Sequence, residues 1–295
     1  MIELNKCPSC DSSKIAPYMN CIDHTMSKEN FTIVSCETCD FKFTNPRPED
    51  KKLGDYYKSD NYISHTNSQT GLFNKLYHFV RKTSINIKLK LIKQDAFGHK
   101  ILDIGSGTGE FLKASESLGY SGIGIEPSEI ARKKAIKNHN LNISKDTSLK
   151  QFEKNEFDVI TMWHVLEHVS DLNNTIKKLH KIIKKDGKLI IGVPNHNSYD
   201  AKFYGKYWAA WDVPIHLWHF SKKSIEEIMR KHDFKLVKTK PMIFDSFYVS
   251  LLSEEYKKGN KKFILGFMVG LISNLFGIFT NKGHSSIIYI FKPLK

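Results

Sequence analysis

Arginine is almost missing from this 295-residue chain. Arg47, Arg81, Arg132 and Arg230 stand far apart, and every other basic residue is a lysine. The balance of 45 Lys+Arg against 31 Asp+Glu leaves a net charge of +14, which by size alone fits nucleic acid or an anionic membrane. No dense basic stripe interleaved with aromatics accompanies it. The charge therefore reads as a lysine-rich surface, and a nucleic-acid partner is not expected. Cysteine is sparse too, with five residues, four of them in two pairs. The start, Met1 to Lys6, is polar and lacks the apolar run of a secretory leader. Together with metal-type cysteine spacing, this predicts a reducing cytoplasm. No apolar run reaches bilayer length: Phe263 to Phe279 would span about 25 Å as a helix, against a hydrocarbon core of about 30 Å. A hydrophobic content of 40% is ample for one α/β domain of about 200 residues with a smaller appendage.

The paired cysteines are Cys7-Pro-Ser-Cys10 and Cys36-Glu-Thr-Cys39. Each pair lets two thiolates turn toward one ion, and two such knuckles complete a tetrahedral Zn²⁺ site. Four thiolates leave no open position for a substrate, so this ion is expected to be structural. Aspartate follows each second cysteine (Asp11, Asp40) and tolerates the left-handed backbone a knuckle needs. Disulfides are the alternative, disfavoured by the compartment. Cys21 is left over as a small buried hydrophobe. These features predict a zinc ribbon over residues 1–48, with Phe31 to Ser35 as one of its strands.

Residues 101 to 109 read Ile-Leu-Asp-Ile-Gly-Ser-Gly-Thr-Gly. An apolar strand ends in glycines at alternate positions (Gly105, Gly107, Gly109, with Ser106 between), and a helix-forming stretch follows. That form lets backbone N–H groups approach a ligand closely. Asp103 precedes the first glycine; Glu126, followed by Pro127, closes a second apolar stretch about 20 residues on. An acid at that second position accepts hydrogen bonds from vicinal ribose hydroxyls. At the first position a carboxylate would repel a pyrophosphate but favours the ammonium of S-adenosylmethionine (SAM).

The order Asp-x-Gly-x-Gly-x-Gly then Glu resembles the class I SAM-dependent methyltransferases. That resemblance implies an α/β fold with a seven-stranded Rossmann-like sheet and binding of SAM by Asp103, Gly105, Ser106, Gly107, Gly109, Glu126 and Pro127. Further on, Trp163-His-Val-Leu-Glu-His-Val is similar to the family segment that borders SAM and the acceptor, implying cofactor contacts from Trp163 and His164 and a catalytic role for His168. RNA and DNA amino-methyltransferases often carry Asn/Asp-Pro-Pro-aromatic here, and its absence argues against an adenine N6 target. The ribbon, the Asn45-Pro-Arg-Pro48 exit and Tyr56, Tyr57 and Tyr62 resemble bacterial small-molecule and sugar methyltransferases, in which such tyrosines lie near the methyl donor. Packing of the ribbon against the main domain is the other use for them.

Residues 49–97 form the Tyr-rich segment and a helical linker, with apolar positions at helical spacing from Leu72 to Ile92 and lysines on a solvated face. The methyltransferase domain occupies 98–295. Within it, Leu172 to Ile183 reads as an amphipathic helix stopped by Lys184-Lys-Asp-Gly187. Ser221 and Ser224 with Glu227 form a helix N-cap pattern. Between Asn195 and Ser221 periodicity disappears and aromatics crowd in, a loop suited to stacking on an acceptor. Its His216-Leu-Trp-His219-Phe-Ser221 resembles the Pro-Arg-His-x-x-His-Phe-Ser segment of methyltransferase-domain-23-like proteins, with Ile215 in place of the arginine. Methyl transfer to a group that must lose a proton needs a base, for which His219 is the first candidate and His216 the second. No cysteine or acidic cluster joins this pair in the sequence, which argues against metal ligation there.

An apolar helical insertion is expected near 245–283. Topology decides against its spanning a membrane, since the last strand must rejoin the sheet. Lys257, Lys258, Lys261 and Lys262 ahead of it suit anionic lipid at the inner membrane face; a homodimer or domain contact through Phe263–Phe279 is the other use. The resemblance thus predicts a cytoplasmic methyltransferase for a small-molecule or glycan-type hydroxyl, in cell-surface polysaccharide or secondary-metabolite synthesis. An RNA methyltransferase and a non-catalytic SAM- or nucleic-acid-binding module are the alternatives.

Overall fold

The computed structural model describes residues 1–57, 72–93, 99–260, 262–280 and 282–294. The chain opens with antiparallel strands β1 (Ile15–Ile22), β2 (Asn30–Cys36) and β3 (Lys42–Thr44). A short helix α1 (Asp50–Leu53) and the long α2 (Leu72–Ile92) follow. Strand and helix then alternate: β4 (Lys100–Ile104), α3 (Glu110–Ser115), β5 (Ser121–Ile125), α4 (Glu129–His139), β6 (Asn142–Ser144), β7 (Phe157–Trp163), α5 (Leu172–Ile182) and β8 (Ile183–Pro194). The last part holds α6 (Tyr199–Tyr204), β9 (Trp218–His219), α7 (Lys222–Lys231), β10 (Phe234–Pro241), α8 (Asp245–Lys258), α9 (Phe263–Phe279) and β11 (Ser286–Pro293).

Seven strands form the main sheet in the order β10-β11-β8-β7-β4-β5-β6. β4 to β8 run parallel, and β11 is antiparallel to both neighbours. Strand order reverses between β4 and β7, so a crevice opens at their carboxyl ends, where open α/β sheets bind ligands. The central strands are apolar because both faces are covered: Ile101, Leu102, Val159, Ile160, Leu189 and Ile190 are fully buried.

Local rules account for several ends. Ser128 caps α4 by accepting from the Ala131 N–H, and Asn140 closes it in a left-handed conformation. α7 starts in a capping box closed by Ser221 and Ser224; Glu227 takes no part and lies 3.9 Å from Lys223 instead. The expected stop of α5 at Gly187 is overridden. The helix ends at Ile182, and the chain turns directly into β8, with Gly187 inside the strand. Ile183 pairs with Phe157 and is buried, and burying such a side chain outweighs a local glycine signal.

The smaller sheet has the order β1-β2-β3-β9. Its fourth strand therefore comes from residues 218–219, paired through Lys42–His219 and Phe43–Trp218. The aromatic stretch between 195 and 221 is likewise not an open loop. Tyr204, Trp208, Trp211, Trp218 and Phe220 are buried. Tyr204, Trp208 and Trp211 pack with Cys21, Phe31 and Ile33 of the ribbon and with Val249 and Val269 of the helical insertion. They glue three parts of the chain together rather than facing solvent.

α8 and α9 form a helical hairpin whose contact face is made of small residues. A Cβ on Gly270 would meet Phe247 Cα at 2.9 Å, and one on Gly266 would meet Leu251 Cα at 3.1 Å. Ser273 Oγ donates to Asp200, and Asn274 Nδ2 donates to the Ile243 carbonyl at 2.8 Å. Small and polar residues therefore point inward, and the large apolar ones point out. Among the described residues, no helix is long and apolar enough to cross a membrane.

Candidate active site

The turn after β4 works as its sequence suggests. Gly105, Gly107 and Gly109 all have positive φ, at 73°, 55° and 86°, where L side chains are strained. A Cβ on Gly109 would run into Leu141 Cδ1 at 2.5 Å and Ala135 Cβ at 3.0 Å, so this glycine is needed for helix packing. Among the described residues, a Cβ on Gly107 meets nothing within 4 Å. The backbone there borders open space, as a ligand cradle requires. Glu126, at the end of β5, accepts from Gly107 N–H and Ser128 N–H, each at 2.8 Å, which binds the second strand end to the turn. Burial raises its carboxyl, and those two N–H groups oppose the rise. Pro127 next to it is exposed; the Arg132 guanidinium reaches its carbonyl at 3.1 Å.

Asp103 is fully enclosed and takes a 2.6 Å hydrogen bond from Thr161 Oγ1. Burial pushes its carboxyl up to about 7, against the pull of that hydroxyl and of the Lys88 ammonium. Lys88 corrects one expectation. It does not join a solvated face of α2; its Nζ lies 4.4 Å from the Trp163 ring centre, and burial lowers its pKa while Asp103 and Asp245 resist. Arg81, about two turns earlier on the same helix face, pairs with Glu110 and reaches Thr108 in the glycine turn. α2 thus closes over the strand ends.

Trp163 ends β7 with its ring edge-on to Phe111. Its Nε1 is buried without a partner among the described residues, as is Ser106 Oγ. Two orphaned donors bordering the crevice fit a ligand with polar groups of its own. His164 is different. Its ring lies between Asp245 (2.8 Å) and Glu167 (3.3 Å). Burial alone would lower its pKa, but the two carboxylates outweigh it and carry the ring to about 10. An imidazolium there fastens α8 to the turn after β7. Nothing in the sequence pattern pointed to Asp245.

The three histidines expected to act in catalysis have different surroundings. His168 and His216 meet edge to face with centroids 4.5 Å apart. His168 Nδ1 lies 2.9 Å from Tyr57 Oη and 3.0 Å from the Ile215 carbonyl. Burial lowers its pKa to about 4, and burial also lowers that of His216. His219 sits in β9, with Nε2 3.1 Å from Thr44 Oγ1 and its ring edge-on to Trp211. His216 and His219 share a cavity of about 10 Å³ with His196, Trp208 and Phe220, room for roughly one water. His219 therefore faces packing partners, and no acceptor fits in that space. Tyr56 also leaves the expected tyrosine group: it donates to Glu29 and packs on Phe31. Tyr62 lies outside the described residues.

Cys7, Cys10, Cys36 and Cys39 bring their sulfurs within 4.8 Å of one another, with Cys7–Cys39 and Cys10–Cys36 at 3.6 Å. A disulfide needs about 2.05 Å, whereas four thiolates 2.3 Å from one zinc lie about 3.8 Å apart. The cluster fits Zn²⁺, and the disulfide alternative is not met. Asp11 and Asp40 adopt the left-handed φ of 61° and 60° that their placement suggested.

A family model described as a methyltransferase domain matches residues 74–239, more than half of the chain. The ubiquinone biosynthesis O-methyltransferase of Actinobacillus pleuropneumoniae serotype 5b is 36% identical over 124 residues, covering 37% of this chain and 53% of that protein. The chain thus spans about half the length of such a curated relative. Among solved structures, phosphoethanolamine N-methyltransferase 2 of Haemonchus contortus bound to SAM has a TM-score of 0.54 at 19% identity, over 86% of this chain and 63% of that one. A SAM-dependent methyltransferase from Archaeoglobus fulgidus has a TM-score of 0.51 at 19% identity, over 75% of this chain and 100% of that one. With the strand order, the glycine turn and the two carboxylates already in place, this chain belongs to the methyltransferase-domain family and carries the class I SAM-dependent methyltransferase fold.

Proposed function

We propose that the protein transfers the methyl group of SAM to a hydroxyl of a small-molecule acceptor. One observation carries the reading: buried Asp103 at the end of β4 and Glu126 at the end of β5 flank a left-handed glycine turn with open space beside Gly107. SAM supplies an electrophilic methyl on a sulfonium. Asp103 receives the ammonium of the donor, and Glu126 turns from the backbone N–H groups to the ribose hydroxyls. Ser106 Oγ and Trp163 Nε1 are free to bond the donor's polar groups. The acceptor hydroxyl belongs beside Glu167 and His168, which follow β7 at the same sheet edge, and beside Tyr57, whose Oη meets His168 Nδ1. The O-methyltransferase name of the curated relatives supports oxygen as the methylated atom. A glycan-type or secondary-metabolite acceptor fits the same chemistry.

Calorimetry with S-adenosylhomocysteine tests the donor half. Binding to the intact protein, weakened at least tenfold by Asp103→Asn and by Glu126→Gln, is the expected result. No heat with this ligand, together with uptake of a nicotinamide or flavin nucleotide, overturns it.

The exposed face of α9 supports a place at an anionic lipid surface on the cytoplasmic side. Ile264, Phe267, Met268, Leu271, Leu275, Ile278 and Phe279 are all exposed, Ile264 and Phe279 to 80% and 82%. Lys257, Lys258 and Lys262 stand at the head of that face; Lys261 lies outside the described residues. Apolar surface of this extent beside lysines complements an anionic headgroup layer better than bulk water.

A further inference from the structure

We propose that Glu167, His168 and His216 bind a divalent first-row transition ion, separate from the ion of the cysteine ribbon. One donor atom from each of the three lies within 4.8 Å of those of the other two. Each side chain also keeps one donor atom that its other bonds do not use. His168 Nδ1 is engaged with the Ile215 carbonyl, which leaves Nε2. His216 Nδ1 is engaged with the Ala210 carbonyl at 2.9 Å, which again leaves Nε2. Glu167 Oε1 accepts from His164, while its Oε2 is buried with no partner among the described residues, on a residue 0% exposed.

An orphaned carboxylate oxygen in the interior is costly. An imidazole whose second nitrogen is held by a backbone carbonyl is the usual setting of a metal-bound histidine. Two imidazoles and one carboxylate suit Zn²⁺, Fe²⁺ or Mn²⁺ better than Mg²⁺ or Ca²⁺. Donors 2.0–2.2 Å from one ion lie roughly 3.3 Å apart, so rotation of the Glu167 carboxylate and the two rings closes the remaining gap. A backbone bond already holds the two loops together, Leu217 N–H donating to the Glu167 carbonyl at 2.8 Å, and the Thr44 hydroxyl of β3 steadies the second loop by donating to the His216 carbonyl at 2.8 Å.

Three protein ligands leave at least one coordination position open, the mark of a site that binds an oxygen ligand rather than one that only holds the fold. Asp212 Oδ2 is 3.9 Å from His216 Nε2, close enough to accept a hydrogen bond from a water or hydroxyl on the ion. With His219 alone, His216 would lack an acidic or thiolate partner for a metal. The fold pairs it instead with two residues 48 and 49 positions earlier in the chain. A role toward the acceptor rests on the methyl-transfer reading; binding of the ion does not.

Metal analysis and Co²⁺ titration of the full chain test the inference. Two equivalents of divalent ion per chain are expected. One carries the sulfur-to-metal charge-transfer band of a thiolate site and the other lacks it. Glu167→Gln and His216→Ala each lose only the second, and retention of the ribbon ion and of S-adenosylhomocysteine affinity shows that each variant is folded. His168→Asn provides a third, smaller change with the same expectation. A single equivalent, lost only on Cys7→Ser, with no second Co²⁺ taken up at millimolar concentration, overturns the proposal. A chain that binds the second ion but no S-adenosylhomocysteine leaves this site standing and removes the methyl-transfer reading.

Discussion

At the scale of single residues, the glycine turn separates two effects that mutation usually mixes. Gly109→Ala places a methyl against Leu141 and Ala135 in addition to its strained φ. It is expected to cost about 2–3 kcal/mol of stability, read by urea denaturation. Gly107→Ala meets no protein atom and should cost only about 1 kcal/mol, yet weaken S-adenosylhomocysteine at least tenfold because the methyl intrudes on the ligand side. Equal stability losses with unchanged affinity in both variants would contradict the assignment of that space.

Asp103 makes a pH prediction at the same scale. Burial holds its carboxyl at about 7, above its unfolded value of 3.8. The folded chain keeps this proton to higher pH than the unfolded chain. The stabilisation it contributes is complete below about pH 4 and is lost as pH rises through about 7. An ammonium ligand needs the ionised form, so S-adenosylhomocysteine affinity should rise across that window. The rise disappears in Asp103→Asn. In Lys88→Met its midpoint moves upward, because the ammonium that now favours the carboxylate is gone. Calorimetry between pH 5.5 and 8.5 checks all three profiles.

Among the elements, α9 sets its glycine, serine and asparagine face against α8 and its large apolar residues outward, the reverse of an ordinary surface helix. Flotation with vesicles containing anionic lipid should carry the protein to the top of the gradient. Ile264→Glu with Phe267→Glu should abolish that without affecting S-adenosylhomocysteine binding. A concentration-dependent dimer with no flotation would assign the face to a second copy of the chain. β9 matters at this scale as well. Two residues, Trp218 and His219, complete the ribbon sheet and draw the aromatic segment into cores shared with the ribbon, the helical hairpin and the seven-stranded sheet.

For the molecule as a whole, the ribbon is stitched to the main domain. Lys231 pairs with Asp11 at 2.7 Å, Asn173 Nδ2 donates to the Pro8 carbonyl at 2.9 Å, and β3 pairs with β9. Losing the ribbon ion should therefore lower the Tm of the entire chain, on the order of 10 °C, in one transition. Scanning calorimetry of Cys39→Ser is the measurement. A separate low-temperature transition, with the main one unmoved, would show that the ribbon is an independent unit.

What the sequence determined by itself is what short-range chemistry encodes. Three glycines that must take positive φ, a strand ending in aspartate, an acid on the next strand and two cysteine knuckles each act within a few residues, so pattern alone reveals them. The seven strands were legible for the same reason, through apolar runs and the breaks between them. Contacts across the chain decided the rest. Lys88 looked like one lysine among many until α2 folded over Asp103, and His164 became a cation because Asp245 arrives from 81 residues away. From its irregular spacing alone, the aromatic stretch reads as an acceptor platform. Only the meeting of ribbon, hairpin and sheet shows that its rings are buried glue. Glu167, His168 and His216 come together through a backbone bond between distant loops. Side-chain environment depends on what the rest of the chain brings to each residue, and local pattern does not carry that information.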